Sequence, residues 1–140
     1  MSQADIETLR AGYEAFNRGE RDSLFGAADP DIEFKPADRA ANAGIVRGSK
    51  AIVQFFDDLF EPFEPVDVEP QRFFESRDRI AVILRARFHP RGSSAVVENR
   101  IGHVWTFRDG KALRLEVYPE REKALEAIGM SPDEARVGAA

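Results

Sequence analysis

Between Ile101 and Val117 two runs of strand-forming residues are joined by Arg108-Asp109-Gly110-Lys111, and this hairpin restricts the fold more than any other segment. An Asp-Gly pair between two such runs marks an antiparallel hairpin, because both residues accept the positive φ of a tight turn. Its register decides whether His103 and Trp105, the only tryptophan, face an apolar interior or water. A one-residue slip exchanges the faces of a strand, so the burial pattern selects between registers. A two-residue loop would set Trp105 opposite Arg114 and His103 opposite Glu116. A three-residue loop with Gly110 left-handed sets Trp105 opposite Leu113, His103 opposite Leu115 and Ile101 opposite Val117. The longer loop gathers Ile101, Trp105, Phe107, Leu113, Leu115 and Val117 on one face and is the register expected.

The preceding hairpin turns near Arg91-Gly92-Ser93-Ser94. Opposing Arg87 to Glu98 also opposes Leu84 to Ile101 and Val82 to His103. His103 then shares the helix-covered face with Val82, Leu84, Phe88, Asn99 and Trp105. Arg85, Arg87, Glu98, Arg100, Arg114 and Glu116 share the opposite face, where cross-strand charge pairs are mildly stabilising. His89 falls with that polar set, which separates the two histidines.

The first half of the chain is helical. Ser2 and Asp5 suit a helix start, and Ile6, Leu9, Tyr13 and Phe16 recur at helical spacing up to Asn17-Arg18-Gly19. A short second helix is expected from Asp22 to Ala28, stopped by Asp29-Pro30-Asp31, with a short strand over Ile32-Glu33-Phe34-Lys35. Residues Pro36 to Gly48 read as a loop, and Ser49 as the N-cap of a third helix with Ile52, Phe55, Phe56, Leu59, Phe60 and Phe63 on its apolar face, closed by Pro62 and Pro65. Strands are expected over Asp67 to Glu75, Arg79 to His89, Ala95 to Phe107 and Ala112 to Tyr118. A final helix starts near Glu120, turns Ala124, Leu125 and Ile128 inward and stops at Gly129. Helices first and antiparallel strands later imply an α+β domain over residues 1–130, with 131–140 expected to be a mobile tail.

Composition excludes several classes of function. The 140 residues contain no cysteine, which removes disulfides and thiolate chemistry. His89, His103 and the acidic residues show no metal-ligand spacing, so no metal is expected. The net charge of −5 with scattered cations argues against nucleic acid. No basic, apolar leader opens the chain and no run reaches the roughly 18 apolar residues of a membrane span, so a cytoplasmic location away from membranes is the expectation. No phosphate loop or nucleophile elbow occurs, and no cofactor is expected. Chemistry in such a chain would be proton transfer or water addition. His103 suits a general acid or base, since its intrinsic pKa lies near neutrality. The other reading is a buried neutral histidine bonded to a carbonyl or to Tyr13, and Tyr13 itself would then orient a ligand oxygen or belong to the core.

Three stretches carry a resemblance. Tyr13-Glu14-Ala15-Phe16-Asn17-Arg18-Gly19-Glu20, the helix start Gly48-Ser49-Lys50-Ala51-Ile52, and His103 through Lys111 resemble the SnoaL-like branch of the nuclear transport factor 2-like superfamily. Glu116-Val117-Tyr118-Pro119-Glu120-Arg121 with Ala124-Leu125-Glu126-Ala127 is similar to that family's closing segment. The resemblance implies a cone-shaped α+β roll of the nuclear transport factor 2-like, cystatin-like type. Three helices of the N-terminal half would cover the concave face of a curved antiparallel sheet, and a pocket would open between the layers. It implies a small apolar, polyketide-like or steroid-like ligand, and a homodimer through the outer sheet face. The expected catalytic set is His103, Tyr13 and Glu120, the last matching the carboxylate that follows the final strand in polyketide cyclases. Expected ligand contacts are Asn99, Trp105, Phe16, Phe56, Leu59, Leu84 and Leu115. Ketosteroid isomerase chemistry is not implied, because Lys35 stands before Pro36 where that enzyme has its aspartate base, and its first-helix tyrosine matches Gly12. A cofactor-independent isomerase, cyclase, dehydratase or hydrolase, a non-catalytic binding protein, and a dimerisation module with a filled cone all remain open at this point.

Overall fold

A computed structural model describes residues 2–26, 28–36 and 44–130. Helix α1 (Ser2–Asn17) and a 3-10 turn (Arg21–Phe25) lead into strand β1 (Ala28–Lys35). Strand β2 (Val46–Arg47), helix α2 (Ser49–Leu59), strands β3 (Phe63–Ser76), β4 (Arg79–Pro90), β5 (Val97–Arg108) and β6 (Lys111–Tyr118), and helix α3 (Arg121–Ala127) follow. The strands form one curved, unclosed sheet in the order β2-β1-β6-β5-β4-β3. It is not wholly antiparallel, because β1 runs parallel to β6. A parallel neighbour needs a crossover, and here the whole stretch from β2 to β5 supplies it.

Several local expectations shift. The second helix is a single 3-10 turn, and Asp29-Pro30-Asp31 lies inside β1 rather than ending a helix. Pro30 sits beyond the ladder to β2, where a missing N–H is tolerated. Gly48 occupies the N-cap position of α2 with φ 87°, so Ser49 is its first helical residue. Phe63 and Pro65 belong to β3. The tail 131–140 and residues 37–43 of the expected loop lie outside the described residues.

The β4–β5 ladder has the expected register, with Arg87 opposite Glu98, Leu84 opposite Ile101 and Val82 opposite His103. The β5–β6 ladder corrects the expected one. The turn is the two-residue Asp109-Gly110 pair, both at positive φ (53° and 77°), with Arg108 opposite Lys111. A bulge at Leu113 then restores the phase, so Trp105 faces Leu115 and His103 faces Val117. One extra residue in one strand exchanges its faces. The tight turn and the bulge together therefore put Trp105 and His103 inward, and the pairing differs by two residues from that expected.

Two cores result. The concave face (Val68, Val82, Leu84, Ala86, Trp105, Leu115) packs against Leu9, Tyr13 and Phe16 of α1, Leu24 and Phe25, and Ile52 and Phe56 of α2. The other face offers Phe74, Ala81, Ile83 and Val104 to Ala124 and Leu125 of α3 and to Ile128 at its C-cap, so this helix lies on the convex side. Its close approach is made at Gly102, where an added Cβ would lie 2.4 Å from the Cβ of Ala124. The side chain of Asn17 completes the helix–sheet junction, donating to the Val68 carbonyl and accepting from the Val68 N–H, each at 2.8 Å.

Candidate functional site

The concave layer is not filled by its own side chains. A cavity of about 380 Å³ remains between α1, α2 and the sheet. That volume is within the range of small-molecule sites, which starts near 300 Å³. Its walls are aromatic: Phe16 from α1, Phe34 from β1, Phe55, Phe56 and Phe60 from α2, and Phe88 from β4. These rings brace one another, with Phe16 and Phe56 edge to face at 6.3 Å and Phe56 stacked on Phe60 at 5.7 Å. Val68 and Ala86, which stand opposite each other within the β3–β4 ladder, line the cavity with short side chains and leave room that longer ones would occupy. Asn99 and Arg100 are exposed at the open end, and Leu59 at the rim is 52 % exposed.

The polar groups of the interior are Tyr13 and His103. The Tyr13 hydroxyl lies 2.8 Å from His103 Nδ1 and accepts a hydrogen bond from Trp105 Nε1 at 2.8 Å. Tyr13 and Trp105 are fully buried and His103 is 7 % exposed. His103 lines the cavity, and its second ring nitrogen, Nε2, has no partner among the described residues. Burial lowers the His103 pKa from its ordinary 6.5 to about 3. Desolvation disfavours the charged form, so the imidazole is neutral throughout the physiological range. Of the two readings given above, this geometry matches the buried neutral histidine bonded to Tyr13. Burial also raises the Tyr13 pKa, against the smaller opposing effect of the hydrogen bond from Trp105. The pair therefore offers neutral hydrogen-bonding groups rather than a charge.

The other expected residues separate into three groups. Phe16, Phe56 and Leu59 line the cavity as expected contacts would, and Asn99 does so at the exposed end rather than as a buried amide. Trp105, Leu84 and Leu115 are each 0 % exposed and lie in the packed core without lining it. Glu120 stands apart from the cavity: it is exposed at the start of α3 on the convex side, and Arg121 pairs with Glu122 instead, at 3.6 Å. The matching position after the last strand thus turns away from the interior. No carboxylate lines the cavity among the described residues. Sequence patterning missed Val68 and Ala86, which carry no chemical signal, and it also missed the Phe34 and Val117 walls because they depend on the parallel β1–β6 pairing. No group of three potential metal ligands gathers among the described residues, and no described helix is long and apolar enough to cross a membrane.

Comparison with known proteins places this geometry among relatives. The family model described as a SnoaL-like domain matches residues 9–115. Among curated proteins none matches. The fold is similar to that of an NTF2-like protein of unknown function from Burkholderia pseudomallei, with TM-score 0.73, 23 % identity, and coverage of 90 % of this chain and 98 % of that one. It is similar to Rv0760c of Mycobacterium tuberculosis in complex with estradiol-17β-hemisuccinate, with TM-score 0.69, 17 % identity and coverage of 82 % and 92 %. It is also similar to a putative SnoaL-like polyketide cyclase from Jannaschia sp., with TM-score 0.69, 20 % identity and coverage of 93 % and 94 %.

Proposed function

Since the chain belongs to the SnoaL-like domain family, we propose that it receives a small, flat, largely apolar molecule in the aromatic cavity, with His103 as the group that meets the molecule's polar end. The observation that carries this reading is a cavity of about 380 Å³ walled by phenylalanines whose one buried histidine has a ring nitrogen without a protein partner. Among the described residues the buried side-chain nitrogens without a partner are Arg87 Nε and Arg114 Nε, so His103 Nε2 is reached from the cavity, where a bound molecule would meet it. The steroid ester held by Rv0760c is a molecule of that general shape, in a protein of the same fold.

The role assigned to His103 is hydrogen bonding, with Tyr13 holding the ring. A neutral imidazole can polarise an oxygen, but with a pKa near 3 it is a poor proton acceptor at neutral pH. Of the chemistries open to the family, polarisation of a bound carbonyl suits this pair better than proton abstraction, since no lining carboxylate stands by among the described residues. Binding is tested by isothermal titration with tetralin, a flat apolar bicycle: one saturable site is expected, and absence of binding up to its solubility would count against the reading.

We also propose that two copies pair through the half of the convex face that α3 leaves uncovered. Arg85, Arg87, Glu98 and Arg100 lie there, Arg85 stands directly opposite Arg100, and Arg87 Nε is buried without a partner among the described residues. Arg85 is paired with Glu69 of its own chain, and a second copy would bring its Glu98 to Arg87 and Arg100.

A further inference from the structure

We infer that Tyr13 is a positioning residue: by donating to Nδ1 it fixes His103 with its Nε2–H toward the cavity, so that the cavity selects neutral molecules whose inner end is a hydrogen-bond acceptor. The inference deepens the receptor reading and rests on it.

The direction follows from counting donors. An indole N–H only donates, so the 2.8 Å contact from Trp105 Nε1 occupies a lone pair of the Tyr13 oxygen. The Tyr13–His103 contact, also 2.8 Å, can then run either way. If His103 Nδ1–H were the donor, the phenolic proton would need another acceptor, and among the described residues Tyr13 has none and is 0 % exposed. Leaving such a buried donor unmet disfavours that arrangement by roughly fivefold to a hundredfold. Tyr13 therefore donates to Nδ1, and the remaining proton of the neutral ring sits on Nε2. The chain runs one way, from indole to phenol to imidazole, and ends in a donor. A ketone, quinone, ester or lactone oxygen fits that donor. An ammonium group meets a second donor and loses its water, and a hydrocarbon gains nothing from it.

Two arms test this. The first reads the tautomer of His103 from its ring 15N resonances in the free protein. A pyridine-like Nδ1 with a pyrrole-like Nε2 is expected, and the reverse pattern overturns the inference without any substitution. In Tyr13→Phe the lock is removed and a mixture of tautomers is expected, whereas Trp105→Phe leaves the phenolic proton with Nδ1 as its acceptor and keeps the single tautomer. A retained single tautomer in a folded Tyr13→Phe protein overturns the positioning role, because a merely structural tyrosine would alter stability and leave the ring nitrogens unchanged. The second arm titrates tetralin, 1-tetralone and 1-aminotetralin, which share one frame. The ketone is expected to bind about tenfold more tightly than the hydrocarbon, and the amine more weakly than either. Equal affinities overturn the inference and leave the receptor standing. Failure of all three to bind removes the receptor reading instead, and the tautomer arm still decides what Tyr13 does.

Discussion

Replacing His103 by Asn isolates the energetic consequence of burying an imidazole beneath the cavity. The Asn oxygen can accept the Tyr13 hydroxyl as Nδ1 does, and the amide does not titrate. In the folded wild type, burial keeps His103 neutral down to about pH 3, whereas the unfolded chain protonates it below its ordinary 6.5. Between those values the unfolded state holds the extra proton. The stability contributed by the neutral ring is therefore complete above pH 6.5 and is lost as the pH falls, by about 1.4 kcal/mol per unit. At pH 5.0 the loss relative to pH 7.5 is about 2 kcal/mol. With a denaturant slope of about 2 kcal/mol per molar, that is a fall of about 1 M in the urea midpoint. Every other ionisable group is common to both proteins, so its contribution cancels in the difference between wild type and His103→Asn. Urea unfolding at pH 7.5, 6.0 and 5.0 should show the wild type losing ground to the variant by this amount. A difference that stays constant with pH would refute the claim that His103 is held neutral by desolvation.

Further expectations concern the cavity, the convex face and the assembly. Ala86→Leu should fill the cavity floor, weaken tetralin binding at least tenfold by isothermal titration, and leave the thermal midpoint unchanged or raised, because it occupies vacant space instead of packed core. Gly102→Ala should destabilise by about 1–3 kcal/mol in urea unfolding, since its Cβ would lie 2.4 Å from that of Ala124, while tetralin affinity on the other face stays unchanged. Light scattering at micromolar concentration should report a dimer that Glu98→Arg shifts to monomer. A wild-type monomer would remove the proposed pairing.

Legibility in the sequence followed the ladders. The β4–β5 ladder runs from Arg79 opposite Thr106 to Phe88 opposite Val97 without a bulge, so opposing Arg87 to Glu98 is enough to set its register and to turn His103 inward. The sequence offers a buried His103 either a carbonyl or Tyr13 as partner, and the 2.8 Å contact is to Tyr13. In Ala112-Leu113-Arg114-Leu115 the apolar phase belongs to a bulged strand, and a pattern of hydrophobicity contains no sign of which residue is left unpaired. The parallel pairing of β1 with β6 joins segments about eighty residues apart, and no local signal encodes it. The extent of the His103 shift is not a local signal either: its intrinsic pKa is a property of the side chain, but the burial that lowers it comes from helices that arrive from the other end of the chain. Glu120 was carried over from family position alone, and the convex placement of α3 turns that position away from the cavity.

The central claim is that an occupant of the aromatic cavity meets His103 through its unpartnered ring nitrogen. The most direct measurement follows the His103 Nε2–H resonance by 1H–15N correlation during titration with 1-tetralone. A saturable shift of that resonance, reaching its limit at one molecule per chain while His89 on the convex face stays still, is the predicted result. Binding that leaves His103 unmoved would contradict the account.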